Sequence, residues 1–134
     1  MSRREARDTA FKLVFEIPFH GCDCKDRIDF FIDNIDITLS DAEKEYVRTV
    51  VETCFHNLDD VDSKITPLLK KWTISRLPKV SLSVLRLAVT EICYFDDIPY
   101  QVSINEAIEL AKQYGDDDAP AFVNGVLDKI NAKI

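Results

Sequence analysis

The sequence predicts an all-α fold in one compact domain, and three observations predict it. Apolar residues recur at spacings of three and four along most of the chain. No segment alternates apolar and polar residues between turn signals, so no strand candidate survives. A chain of 134 residues, 46% apolar and 31% charged, is sized for one domain, residues 1–134, with a core of its own.

The elements follow in order. Residues 3–17 read as a first helix, with Ala6, Ala10, Leu13, Val14 and Ile17 on one face and Pro18 as its stop. Arg3, Arg4 and Arg7 stand on the other side, with Asp8 placed to pair with Arg4. Three arginines at a helix start oppose the macrodipole, so helix stability does not explain them. Residues 25–35 form a short amphipathic helix through Ile28, Phe31, Ile32 and Ile35. Ser40-Asp41-Ala42-Glu43 is a capping box that opens a helix running to about Leu58. Asp59 or Asp60 caps the next helix, whose apolar residues run from Val61 to Trp72 and which Pro67 interrupts.

Residues 73–79 form a connection. Residues 81–95 are the most apolar helix, nearly apolar all round and so buried on several sides. Ser103 to Gly115 reads as the central post of the domain, with a second capping box (Ser103, Glu106) and Gly115 as a left-handed C-terminal stop. Asp116-Asp117-Asp118-Ala119-Pro120 leads into the last helix, with Asp118 as its cap and Gly125 marking a close helix–helix contact.

Composition narrows the function. No run approaches the roughly 18 apolar residues of a membrane span, and the polar, charged N-terminus is unlike a signal peptide. Cys22, Cys24, Cys54 and Cys93 are too irregular for a disulfide framework, which suits a reduced, cytoplasmic protein. His20 with Cys22 and Cys24 lacks the second ligand pair of a zinc site, so no metal is expected. Enzyme motifs, cofactor loops and glycine-rich phosphate cradles are absent, so catalytic residues and cofactors are expected to be none. The net charge of −7 is unevenly placed. Residues 16–63 and 87–134 are acidic, whereas residues 64–86 carry Lys64, Lys70, Lys71, Arg76, Lys79 and Arg86 and no acid. Local sign decides which surface an anion meets.

Four blocks in the last third carry a resemblance: Val84-Leu85-Arg86-Leu87-Ala88, Ile98-Pro99-Tyr100-Gln101-Val102, Ile104 through Lys112, and Phe122 through Lys129. In this order they resemble the NusB family of bacterial transcription antitermination factors. The opening Arg3-Arg4-Glu5-Ala6-Arg7 is similar to the family's arginine-rich start, and Trp72 and Arg76 sit where the family has such residues. The resemblance covers essentially the whole chain. It implies a compact single-domain bundle of about seven helices that binds the boxA segment of leader and ribosomal RNA transcripts together with the ribosomal protein NusE. Contact with other antitermination factors and RNA polymerase would be indirect.

Carried over by position, the resemblance nominates Arg3, Arg4, Arg7, Lys12, Asp118 and Phe122 for RNA, and Arg76 and Arg86 for the protein partner. Arginines neutralise phosphate, and an aromatic ring offers single-stranded RNA a stacking face. Some relatives self-associate, and a homodimer would cover the arginine face. Two other readings stand beside this one. A related RNA-binding domain begins some RNA cytosine methyltransferases, and a helical interaction module would use its acidic faces and ignore RNA.

Overall fold

The computed structural model describes residues 4–20, 24–35, 38–70 and 72–133, and among these there is no strand. Seven α-helices are described: α1 (Arg4–His20), α2 (Cys24–Asn34), α3 (Asp41–His56), α4 (Leu58–Ile65), α5 (Lys79–Tyr94), α6 (Tyr100–Tyr114) and α7 (Ala119–Lys133). Short 3₁₀ turns at Thr66–Leu68 and Ile74–Arg76 punctuate the connection from α4 to α5. None of the described helices is long and apolar enough to cross a membrane.

The central post is α5, not α6. It packs against α1, α3, α4, α6 and α7, and the unbroken run from Ser81 to Leu85 and again from Leu87 to Glu91 is buried. That is the all-round burial its composition predicts. α6 has one buried face, through Ser103, Ile104, Ala107, Leu110 and Ala111, and sits between α5 and α7. The remaining core comes from single faces of the other helices, such as Leu13 and Val14 of α1 and Val47, Val50 and Val51 of α3. Cys54 belongs to it. Burial pushes its thiol up to about 11, so it behaves as a small inert hydrophobe.

The two capping boxes written in the sequence have different fates. At α3 the box forms: Glu43 N donates to Ser40 Oγ at 3.1 Å, and Ser40 N donates to Glu43 Oε1 at 2.8 Å. At α6 it does not. That helix begins one turn earlier, directly after Pro99. Ser103 Oγ donates to Glu91 Oε1 at 2.8 Å, and Glu106 accepts from Arg4. Tertiary partners have outcompeted the local cap.

Other boundaries differ for local reasons. Pro18 lies inside α1, two residues from its end, where little helix remains to be disrupted. Pro67 does end α4, which passes into the first 3₁₀ turn. No aspartate caps α4; Asn57 stands there, and its Nδ2 donates back to Thr53 O at 2.9 Å.

The two helical-region glycines also exchange roles. Gly115 is not left-handed: its φ is −93°. It is a space requirement, because a Cβ there would lie 2.6 Å from Ala119 Cβ and 2.9 Å from Ala111 O. A Cβ on Gly125 would meet nothing within 4 Å among the described residues, so the close helix contact expected there is not formed with them.

Candidate nucleic-acid interface

The start of α1 brings its basic residues to different depths. Arg3 lies outside the described residues. Arg4 is exposed and meets Glu106 of α6 in a fork, with Nε at 3.2 Å and Nη2 at 2.9 Å. The hydrogen bond from Arg4 holds the Glu106 carboxyl below its ordinary range, against the opposing effect of its partial burial. Arg7 is one turn on and points inward, only 6% exposed. Its Nε and Nη2 meet the Glu91 carboxylate at 3.0 and 3.1 Å. The structural purpose that helix stability alone did not supply for Arg7 is therefore this ion pair.

Asp8 pairs with Lys12 at 2.9 Å, rather than with Arg4, and also accepts from the Tyr114 hydroxyl. Lys12 Nζ stands 5.9 Å from the Tyr114 ring centroid, and Tyr114 is stacked on Phe11 at 4.9 Å. Phe15 lies beside Phe11 at 6.2 Å. Phe11, Lys12, Phe15 and Tyr114 line an open groove of about 380 Å³ with Phe31, Val80 and Glu16, the last paired with Arg27 at 2.8 Å. A cation beside aromatic faces is the combination that meets both the phosphate and the base of a single strand.

The next groove, about 370 Å³, lies at the starts of α5 and α7 and is lined by Trp72, Pro78, Ser81, Asp116, Asp118 and Phe122 among others. Val80 of the first groove adjoins Ser81 of the second, and Tyr114 lies two residues before Asp116. The grooves therefore follow one another across α1, the start of α5 and the α6–α7 connection. Phe122 is half-buried on this track, while Asp118 is exposed. The backbone N–H of Asp118 donates to Asp116 Oδ1 at 3.1 Å, and its carbonyl receives Phe122 N at 3.1 Å. The Asp118 carboxylate itself makes no hydrogen bond or ion pair among the described residues, so the expected side-chain cap is absent.

The partner nominees also separate. Arg76 is exposed in the second 3₁₀ turn. Arg86 is turned inward, its Nε and Nη2 each 2.9 Å from an Asp62 carboxylate oxygen, and ties α5 to α4. Sequence reasoning does not single out Glu91, Trp72, Phe11 or Tyr114 as site residues. Glu91 left one signal, as the single acid within the most apolar helix.

A model of the NusB family matches residues 4–132. The chain belongs to the NusB family. The transcription antitermination protein NusB of Clostridium novyi (strain NT) is 41% identical over 127 residues, covering 95% of this chain and 96% of that protein. A crystal form of NusB from T. maritima superposes with a TM-score of 0.89 at 36% identity, over 99% of this chain and 92% of that one. A structure of the antitermination factors NusB and NusE in complex with dsRNA has a chain that matches with a TM-score of 0.88, at 29% identity over the full length of both. The NusB fold is thus matched over nearly the whole chain; of the nominees, Lys12 lines the first groove and Asp118 and Phe122 line the next, whereas Arg4 and Arg7 line neither.

Proposed function

We propose that this chain acts in transcription antitermination as a non-catalytic, cytoplasmic RNA-binding domain spanning residues 1–134, taking boxA-type RNA jointly with the ribosomal protein NusE. The observation that carries the reading is the groove that Lys12 lines with the Phe11, Phe15 and Tyr114 rings; Arg4 is exposed about two turns earlier on α1. Arg4, Lys12 and Phe122 are the contacts on the described surface, and Arg3 is nominated beside them by the sequence alone. Arg7 contributes by fixing α1 to α5 rather than by touching phosphate. Asp118 faces the same track with the wrong sign, which tempers affinity. Support for the joint binding comes from the relative that forms a complex with NusE and dsRNA. Arg76 is the nominee placed to meet a protein partner, and other antitermination factors and RNA polymerase would be reached through NusE and RNA.

Filter binding tests this directly. A boxA-type RNA and a scrambled RNA of equal length are titrated with and without saturating NusE. The boxA RNA should bind more tightly than the scrambled one, and NusE should tighten it further by about 5- to 150-fold, the usual span of coupling between sites. Equal affinity for both RNAs under both conditions would refute the reading.

A further inference from the structure

Trp72 and Phe122 each face a second hollow, on the side away from α1. This hollow, about 300 Å³, is lined by Lys70, Trp72, Phe122, Gly125 and Lys129 together with aliphatic side chains of the first 3₁₀ turn and α7. Trp72 is the single tryptophan of the chain and is 52% exposed. One exposed aromatic needs no explanation. Three further features around it do need one.

The first is charge. The preceding groove contains Asp116 and Asp118, yet among the described residues no acid lines this hollow. The charged residues that line it among those described are Lys70 and Lys129, and neither ammonium has an ion pair among the described residues. Lys64 and Arg86, from the same acid-free stretch, are by contrast paired with Asp60 and Asp62. The second feature is Gly125. Glycine weakens a helix interior, and here no neighbour requires its small size, since a Cβ would meet nothing within 4 Å. The bare backbone leaves room on the groove side of α7. The third is continuity, because Trp72 and Phe122 line both this hollow and the preceding groove.

We infer that this hollow receives one unpaired nucleotide of the bound RNA, its base stacked on the Trp72 indole and its flanking phosphates met by Lys70 and Lys129. An aromatic face with cations at its rim fits a base and its phosphates. An apolar peptide would have no use for the two lysines. The strand then continues past the start of α7 rather than ending there. Stacking accepts any base, so this position adds affinity without sequence preference. The inference rests on the RNA-binding reading, and the test separates the two.

The single tryptophan makes the wild-type protein its own reporter. A boxA-type RNA with a terminal dye, extended by several nucleotides at each end, is titrated while dye anisotropy reports binding and Trp72 emission reports the hollow. Anisotropy should rise and Trp72 emission should be quenched with the same midpoint. Trp72→Ala should weaken binding about tenfold and Trp72→Phe should restore most of it, as stacking requires. Replacing Lys70 and Lys129 by Ala should lower the salt slope by roughly 0.7 for each phosphate no longer neutralised. A rise in anisotropy with unchanged Trp72 emission would overturn the inference and leave RNA binding standing. So would quenching that needs NusE and does not occur with RNA alone, which would make the hollow a protein-docking surface. No rise in anisotropy, with or without NusE, would overturn both.

Discussion

Arg7 of α1 and Glu91 of α5 form a buried ion pair that joins four helices. The Nε–Oε2 distance is 3.0 Å. Tyr46 of α3 and Ser103 of α6 donate to the same carboxylate. Glu91 is 1% exposed, so every lone pair it offers must find a protein donor, and the Arg7, Tyr46 and Ser103 side chains supply them. The network fixes the angle at which α1 crosses α5, and hence where Arg4 and Lys12 are presented.

Glu91→Gln tests that role. The substitution keeps the shape but leaves the Arg7 guanidinium buried without a counter-charge. Removing one partner of a buried pair costs about 3–5 kcal/mol. Urea denaturation should show a midpoint lowered to match, with an unchanged slope. The double replacement Arg7→Met with Glu91→Leu should recover part of the loss, because a buried pair is often replaceable by apolar groups although half of one is not. A double variant less stable than Glu91→Gln would show that the network is worth more than its charges.

Arg4 and Lys12 should behave in the opposite way. Both are exposed, and their ion pairs with Glu106 and Asp8 are of the surface kind, worth little. Replacing either by Ala should change stability by under about 1 kcal/mol. The slope of log K for RNA against log salt should fall by roughly 0.7 for each phosphate left without its cation. Arg4→Ala carries a second signature. Glu106 titrates below its ordinary value of 4.5 because Arg4 hydrogen-bonds its charged form. The folded-state value is depressed, so any stability from the pair is present above the ordinary value and is lost as pH falls through the folded one. In a carbon-detected NMR titration, the Glu106 midpoint should therefore move upward in Arg4→Ala. A salt slope equal to the wild type in both variants would remove them from the interface.

Some of this was legible in the sequence and some was not, and the division follows the distance to the partner. The Ser40–Glu43 box could be read because both partners lie within one turn. Ser103 and Glu106 spell the same box, but their structural partners are Glu91, 12 residues away, and Arg4, 102 residues away. Arg7 has the pattern of a phosphate ligand because its carboxylate lies 84 residues on. Helix existence followed from periodicity and the burial of α5 from its all-round apolar composition, and both are local. The line of grooves did not, since it needs α1, the α4–α5 connection and α7 side by side.

Gly115 and Gly125 should respond oppositely to the same change. Gly115→Ala puts a Cβ 2.6 Å from Ala119 Cβ and 2.9 Å from a backbone oxygen, so the α6–α7 junction must shift. Overpacking of that kind costs about 1–3 kcal/mol. Gly125→Ala meets nothing and removes a helix-interior glycine, a gain of about 0.5–1 kcal/mol. Thermal melts of the two variants should bracket the wild type. A destabilised Gly125→Ala would mean that α7 lies against a neighbour at that position.

Asp118 offers the sharpest separation of charge from structure. The sequence pattern makes it the cap of α7, yet its carboxylate has no hydrogen bond or ion pair among the described residues; Asp116 accepts the local backbone N–H instead, at 3.1 Å. Asp118→Asn therefore removes charge and no cap. The lost attraction to the start of α7 costs about 0.3–1 kcal/mol at low salt. Against that, a carboxylate on the RNA track repels phosphate by around 1 kcal/mol at a partly solvated separation of some 5–7 Å, less when salt screens it. Asp118→Asn should then bind boxA-type RNA a few-fold more tightly at low salt, with the gain shrinking as salt rises and the melting temperature barely lowered. Asp118→Ala should match it in both respects, because no cap is lost in either. Asp116→Ala is the control, since it removes the local acceptor and should lower the melting temperature more than either Asp118 variant. Weaker binding by Asp118→Asn would show that the carboxylate accepts hydrogen bonds from RNA donors, and the repulsion argument would fall.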